Sequence, residues 1–260
     1  MQKDYLHLAQ KIIIRHKLQS YVDLLLDYWA ENPTTLGHGF SHVLEVAVEA
    51  YEIAKLNNYP QPEHLFIGGL FHDIYRPAEG KGGNEDQTLG AKITKDLFDK
   101  NKVPEEITQK IYAALISHDD WRGEKQVSIF DLLLSTGDKA AHDFTVTYGY
   151  IWASNKFAKD KGEKPFFTNH LHDLYLFMQY QMRAWEVFMK HPIKGTERAI
   201  AKYLNIYQTT ADNYLKDKQA KKFFAYVDKI AEQVRTKEIK YLKFFKVPDA
   251  KIKKLMQRFY

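Results

Sequence analysis

Apolar residues that recur every three or four positions run through most of this sequence and set the first limit on its fold. Residues 40–58, FSHVLEVAVEAYEIAKLNN, show the pattern clearly, with apolar side chains at Val43, Val46, Ala47, Ala50, Ile53 and Ala54. This spacing places an apolar stripe along one side of an α-helix, which other helices must cover in water. We therefore expect a mainly helical protein.

Further helices are predicted along the chain by the same periodicity. They cover residues 62–74, 84–100, 104–118 and 127–142. Pro62 opens the first of these, and Pro104 lies in the first turn of the third, where a missing N–H costs little. Only residues 144–154, FTVTYGYIWAS, are rich enough in β-branched and aromatic residues for a β-strand to be an alternative to a helix. The fold class predicted for the whole chain is all-α.

Composition limits the chemistry. The chain has no cysteine, which excludes disulfides and thiolate ligands, so any metal must be held by imidazole and carboxylate groups. The first residues hold no apolar run typical of a signal peptide, and no run approaches the roughly 20 residues that cross a bilayer. We expect a soluble, cytoplasmic protein with no membrane partner.

Charged residues are unevenly distributed along the chain. Residues 1–190 hold 21 Lys and Arg against 26 Asp and Glu, whereas residues 191–260 hold 17 against 7. Breaks in the helical pattern occur at the glycine-rich loop 77–86, a candidate lid, and at 159–165. We therefore predict N-terminal helices over 1–35 that pack on a core at 36–160, and a helical, basic, aromatic-rich extension over 161–260.

Candidate metal ligands stand at the ends of the predicted helices. The segment GGLFHDIYRP, residues 68–77, carries the adjacent pair His72 and Asp73. His42 lies at the start of the preceding predicted helix, while His118 and Asp138 lie near the ends of two later ones. The order along the chain is His, His-Asp, His, Asp.

These residues and their flanks resemble the HD-domain superfamily of metal-dependent phosphohydrolases. The flanking segments HGFSHVLEVA, GGLFHDIYRP and LLSTGDKAAH are similar to the corresponding segments of small bacterial HD hydrolases, and the resemblance covers about residues 36–145. It implies an HD-domain helical bundle with the metal ligands His42, His72, Asp73 and Asp138. Two residues depart from the family pattern: Glu45 replaces a common arginine, and Asp86 stands where two-metal relatives often have a histidine. The second departure favours a site for one metal ion.

The resemblance also implies an activity. Imidazole and carboxylate ligands suit one divalent ion, either Mn, Fe, Ni, Zn or Mg, and four protein ligands leave positions for water and a phosphate oxygen. The expected function is hydrolysis of a small phosphorylated substrate, with a nucleotide as the favoured class. The predicted catalytic residues are Asp73, His118, Arg76 and Lys139.

Each residue also has a structural explanation. Taken singly, His42 could be a cap, the His72–Asp73 pair a helix end and Asp138 a surface acid; only their joint order favours a metal. His118 could lie near the metal or be a hydrogen-bonded histidine at a helix end. His38 could orient His42 or face solvent. Arg76 and Lys139, which follow the ligands directly, could reach a phosphate or be solvated surface charges.

The basic C-terminal region leaves two interpretations open. Lysines interleaved with Phe and Tyr over residues 221–260 could bind nucleic acid. At helical spacing the same apolar residues form a core stripe with lysines on its solvated face, which we favour. A second His-Asp pair at His172 and Asp173 lacks the family's flanks and is interpreted as packing and capping. The competing function is a non-catalytic metal- and ligand-binding or nucleic-acid-associated HD module, and the oligomeric state is not predicted.

Overall fold

The computed structural model describes residues 3–32, 34–76, 84–117, 128–163, 193–210 and 220–257. These ranges contain eleven helices and no strand, which confirms the all-α prediction for them. The helices are α1 Tyr5–His16, α2 Gln19–Glu31, α3 Phe40–Leu56, α4 Pro62–Phe71, α5 Asn84–Lys100, α6 Glu105–Ser117, α7 Ile129–Ala141, α8 Phe144–Asp160, α9 Thr196–Thr210, α10 Ala220–Phe244 and α11 Asp249–Gln257. In the described part of the chain, none of them is both long and apolar enough to cross a bilayer.

Helix α3 lies at the centre of the bundle. Thirteen of its 17 residues are buried, so it is covered on more sides than its apolar stripe alone would require. It packs against α1, α4, α7 and α10. A helix enclosed in this way can present polar side chains to a buried site as well as apolar ones to the core.

Two glycines bring α4 and α7 unusually close to α3. A Cβ atom on Gly69 would lie 2.5 Å from the Cα of Ala47, and one on Gly137 would lie 2.6 Å from the Cα of Ala50. The helix backbones therefore meet without an intervening side chain at both crossings. His72 follows Gly69 by three residues and Asp138 follows Gly137 directly, so these crossings place both residues near α3.

The segment 144–154 is helical, so it does not form the β-strand that its sequence allowed as an alternative. It belongs to α8, which packs along α10 and buries Val146, Tyr148 and Ile151. Packing against a helix buries these apolar side chains as well as packing in a sheet would. Tertiary packing therefore outweighs the local preference for a β-strand. Gly149 lies close to Gly37, since a Cβ there would be 3.1 Å from the Cα of Gly37.

The N- and C-terminal helices pack on the central ones. Helix α1 contacts α3, α2 contacts α4, and α11 contacts both α10 and α2. The indole N–H of Trp29 donates to the carbonyl oxygen of Ile74 at 2.9 Å, which anchors the chain just after Asp73. The boundaries proposed at 35/36 and 160/161 remain predictions.

The apolar stripe of the C-terminal helices joins the common core. Val227, Ile230, Val234, Leu242 and Ile252 are all buried there. This arrangement supports the packing interpretation for residues 220–257. The His172–Asp173 pair lies outside the described residues.

Candidate metal centre

The end of α4 fixes the orientation of His72. Its Nδ1 lies 2.8 Å from the carbonyl oxygen of Gly69, which can only accept, so Nδ1 carries the hydrogen. The other ring nitrogen, Nε2, then points to Asp73, whose Oδ2 is 2.9 Å away. Burial alone would lower the pKa of His72, but the carboxylates of Asp73 and Asp138 outweigh it and raise that pKa. Two atoms with lone pairs so close together need a cation, either a proton or a metal ion, between them.

Two further helices complete the cluster. His42 is the third residue of α3, and its Nε2 lies 3.5 Å from Oδ2 of Asp73 and 3.7 Å from Oδ1 of Asp138. The same Oδ1 of Asp138, on α7, lies 3.7 Å from Nε2 of His72. All four side chains are buried, and Asp138 is not a surface acid. The fold therefore brings together the four residues that the sequence picked out as ligands.

The spacing of these atoms fits a single ion. Ligand atoms bound at about 2.1 Å are about 3.0 Å apart in an octahedral site and about 3.4 Å apart in a tetrahedral one. Ligand atoms of His42, His72 and Asp73 all lie within 4.8 Å of one another, and Oδ1 of Asp138 approaches both imidazoles. Two imidazoles and two carboxylates suit a divalent ion of the transition series or Mg²⁺.

A basic side chain holds the outer oxygen of each aspartate. The Nε–H of Arg76 donates to Oδ1 of Asp73, and Nζ of Lys139 lies 2.6 Å from Oδ2 of Asp138. Neither base is a solvated surface charge, since their side chains are 18% and 10% exposed. Burial alone would raise the pKa of Asp73, but Arg76 and the imidazoles of His72 and His38 hold it well below its usual range.

Two more histidines flank His42. His38 lies at the site rather than on a solvated face, with Nε2 3.9 Å from Oδ2 of Asp73 and Nδ1 3.2 Å from Oγ1 of Thr35. His142, which the sequence reasoning missed, has its ring centroid 6.3 Å from that of His42. Burial lowers the pKa of both His38 and His142 to about 3, so both are neutral at physiological pH. His142 comes four residues after Asp138 and directly after the last residue of α7, and this spacing was the signal available for it.

Helix α10 supplies contacts to α3 that sequence patterns do not predict. Glu45, the departure from the family pattern, accepts from Nζ of Lys237 at 2.9 Å and from the hydroxyl of Tyr241 at 2.5 Å. Lys237 also reaches Oδ2 of Asp143, at 3.4 Å, just after the end of α7. Nothing in the local pattern of residues 220–244 indicates these partners.

Some predicted site residues lie outside the described part of the chain. They are His118 and most of the glycine-rich loop 77–86; the side chain of Asp86 is not described either. The expectations for His118, for a lid and for Asp86 therefore remain predictions.

Comparison with known proteins gives one match. Residues 39–142 match the family model of the HD domain. Neither the curated proteins nor the solved structures yield a match to the chain. The matched range begins just before α3 and ends just after α7, so it contains all four clustered residues. Residues 39–142, a helical region with a central His/Asp cluster, are therefore similar to the HD domain.

Proposed function

We propose that this protein is a metal-dependent phosphohydrolase that binds one divalent ion between His42, His72, Asp73 and Asp138. The observation that carries the proposal is the convergence of four donor atoms, from α3, α7 and the turn after α4, at separations suited to one ion. When bound, such an ion would lower the pKa of a coordinated water and offset negative charge on a phosphoryl group.

The chain's own residues would orient the ligands. The bond from His72 Nδ1 to Gly69 directs Nε2 toward the other candidate ligands, as is usual for metal-binding histidines. Arg76 and Lys139 hold the outer oxygens of Asp73 and Asp138, so each carboxylate turns its other oxygen toward the imidazoles. This arrangement makes both bases positioning residues for the carboxylates, with phosphate contact as a further role that remains a prediction.

The substrate that we propose is a small phosphorylated molecule, with a nucleotide as the first class to test. The match of residues 39–142 to the HD domain supports hydrolysis, and the resemblance noted in the sequence supports the nucleotide. The two basic side chains at the site favour an anionic substrate. His118 stays in the proposal as a candidate catalytic residue.

The test begins with metal content and phosphate release from a panel of nucleotides, with and without added Mn²⁺. Asp73→Asn removes a ligand charge and is expected to reduce hydrolysis by about a hundredfold or more. The matched control is Asp131→Asn, which alters another buried aspartate that only completes the capping box of α7. Full phosphate release by Asp73→Asn would overturn the mechanism. A protein that takes up metal but hydrolyses neither the nucleotides nor other small phosphorylated molecules would instead be the non-catalytic ligand-binding module.

A further inference from the structure

The first turn of α3 lacks a cap of its own. Its N-cap residue is Gly39, which has no side chain to accept a hydrogen bond, and the first turn holds no acidic residue. The first N–H groups of a helix have no partner within the helix. Phe40 and Ser41 are buried, so solvent cannot satisfy their N–H groups readily. This turn carries His42, so its stability bears on the metal centre.

Glu238 of α10 supplies the missing cap from far along the chain. The N–H of Phe40 donates to its Oε1 at 2.6 Å, and the N–H of Ser41 donates to its Oε2 at 2.9 Å. The Glu238 side chain is buried, with 2% of the residue exposed. A carboxylate that accepts two N–H bonds at a helix N-terminus is favoured both by hydrogen bonding and by the helix dipole.

Neighbouring contacts fix the register of α10 on α3. Lys237 and Tyr241 both bind Glu45, one turn after His42 on α3. The ring of Phe245 packs edge-on against that of Phe40, with centroids 5.6 Å apart. These contacts hold the Glu238 carboxylate over the first turn of α3.

We propose that Glu238 is a positioning residue for the metal centre: by capping the first turn of α3 it fixes the place of His42. The proposal rests on the proposed function, because it assigns His42 a metal. It also makes the C-terminal region, which lies beyond the HD-domain match, part of the architecture of the site. His42 reaches the two aspartates from the third position of the helix, so fraying of that one turn displaces its imidazole.

The test uses the full-length chain and two readouts. Glu238→Gln keeps the side-chain size but replaces one acceptor oxygen by an amide NH₂ group. This group is a donor, so it cannot accept the hydrogen bond from a backbone N–H. Amide hydrogen exchange at Phe40 and Ser41, measured without added metal, should accelerate at least about tenfold. The dissociation constant for Mn²⁺, measured by calorimetric titration, should rise roughly tenfold or more. Glu238→Ala should show the same two effects more strongly if it folds.

Tyr241→Phe is the matched control. It removes the hydroxyl bond to Glu45 from the same helix pair. The Lys237–Glu45 pair and the Phe245–Phe40 contact remain, so α10 should keep its register and Glu238 its place as the cap. Its Mn²⁺ dissociation constant should stay within about twofold of the wild-type value even if its unfolding temperature falls as far as that of Glu238→Gln. An equal loss of Mn²⁺ affinity in both variants would show a general structural effect and overturn the proposal.

The remaining outcomes separate this proposal from the proposed function. Unchanged amide exchange in Glu238→Gln would overturn the cap itself. Faster exchange with wild-type Mn²⁺ affinity would overturn the positioning role while the metal centre stands. A wild-type chain that binds no Mn²⁺ or other divalent ion would overturn the proposed function and the positioning role together, and the exchange result would still decide whether the cap exists.

Discussion

Lys139 differs from the exposed lysines of this chain because it is buried and pairs with Oδ2 of Asp138. Its ammonium group keeps that oxygen occupied, so the carboxylate can offer only Oδ1 to an ion. Without the ammonium group, the buried carboxylate would lose the positive charge that holds this orientation.

We therefore expect Lys139→Met to weaken divalent-metal affinity by roughly tenfold, with a smaller effect on hydrolysis than Asp73→Asn. Competition with a chelator of known affinity measures this change. Lys156→Met is the control, because Lys156 pairs with Asp160 at 2.5 Å on the exposed side of α8, far along the chain from the ligands. Equal metal affinities in both variants would mean that Lys139 does not orient Asp138.

His64 gives the protein a pH-dependent stability term away from the metal centre. Burial lowers its pKa in the folded chain, Lys110 adds to this shift, and Glu63 and Glu106 oppose it. In the unfolded chain the imidazole titrates near its ordinary pKa. The unfolded state therefore binds more protons between the two pKa values, and the free energy of unfolding falls as the pH drops through the ordinary histidine range.

His64→Gln should remove this term. Denaturant unfolding of both proteins at several pH values between about 7 and 5 tests it. The stability of the variant should decline less steeply with falling pH than that of the wild type. Parallel curves would show that His64 does not titrate differently in the two states.

At the scale of the helices, the crossing of α3 and α4 depends on Gly69. A Cβ there would lie 2.5 and 2.7 Å from the backbone Cα and N of Ala47, and backbone atoms cannot move aside cheaply. Gly68, its neighbour in the same helix, would place a Cβ no closer than 3.6 Å to the side chains of Leu134 and Phe130. The two glycines thus offer a matched pair of sites with opposite steric demands.

Gly69→Ala should destabilise the fold by about 3 kcal/mol and weaken metal binding, because α4 must shift and carries His72 with it. Gly68→Ala should be neutral or stabilise by up to about 1 kcal/mol, since alanine is the better helix former. Urea unfolding gives both free energies. Similar losses for the two variants would contradict the close crossing at Gly69.

At the scale of the whole molecule, the basic C-terminal region uses its apolar face in the core. Lys251 pairs with Asp27 at 2.5 Å and Lys254 with Glu31, which ties α11 to α2. Lysines on the other face of these helices, such as Lys229, Lys243 and Lys253, are exposed. Packing in the core therefore explains the apolar positions of these helices, and contact with solvent explains the positions of these lysines.

Changing Lys229, Lys243 and Lys253 together to glutamate should therefore leave the unfolding midpoint and phosphate release close to the wild-type values. Binding of single-stranded RNA and DNA by both proteins, measured at two salt concentrations, tests the alternative. Contacts to several phosphates would make affinity fall steeply with salt. Tight, salt-dependent binding that the triple variant loses would establish a nucleic-acid surface and contradict our interpretation.

Local sequence determined much of the fold and the identity of the clustered residues. The start of α3 at Phe40, of α4 at Pro62 and of α5 at Asn84 agrees with apolar periodicity and proline placement, because these signals act within one or two helical turns. His42, His72, Asp73 and Asp138 could also be identified as candidate ligands from their types, their order and their recognisable flanking segments.

Tertiary structure alone decided the partners of those residues. The helical state of 144–154, the pairing of Lys139 with Asp138, and the cap that Glu238 places on α3 all depend on which helices meet. A buried N–H or carboxylate must find a partner, but its chemistry does not specify how far along the chain that partner lies. Gly39 has no side chain with which to cap α3, and only the packing of α10 on α3 decides that Glu238 supplies the cap.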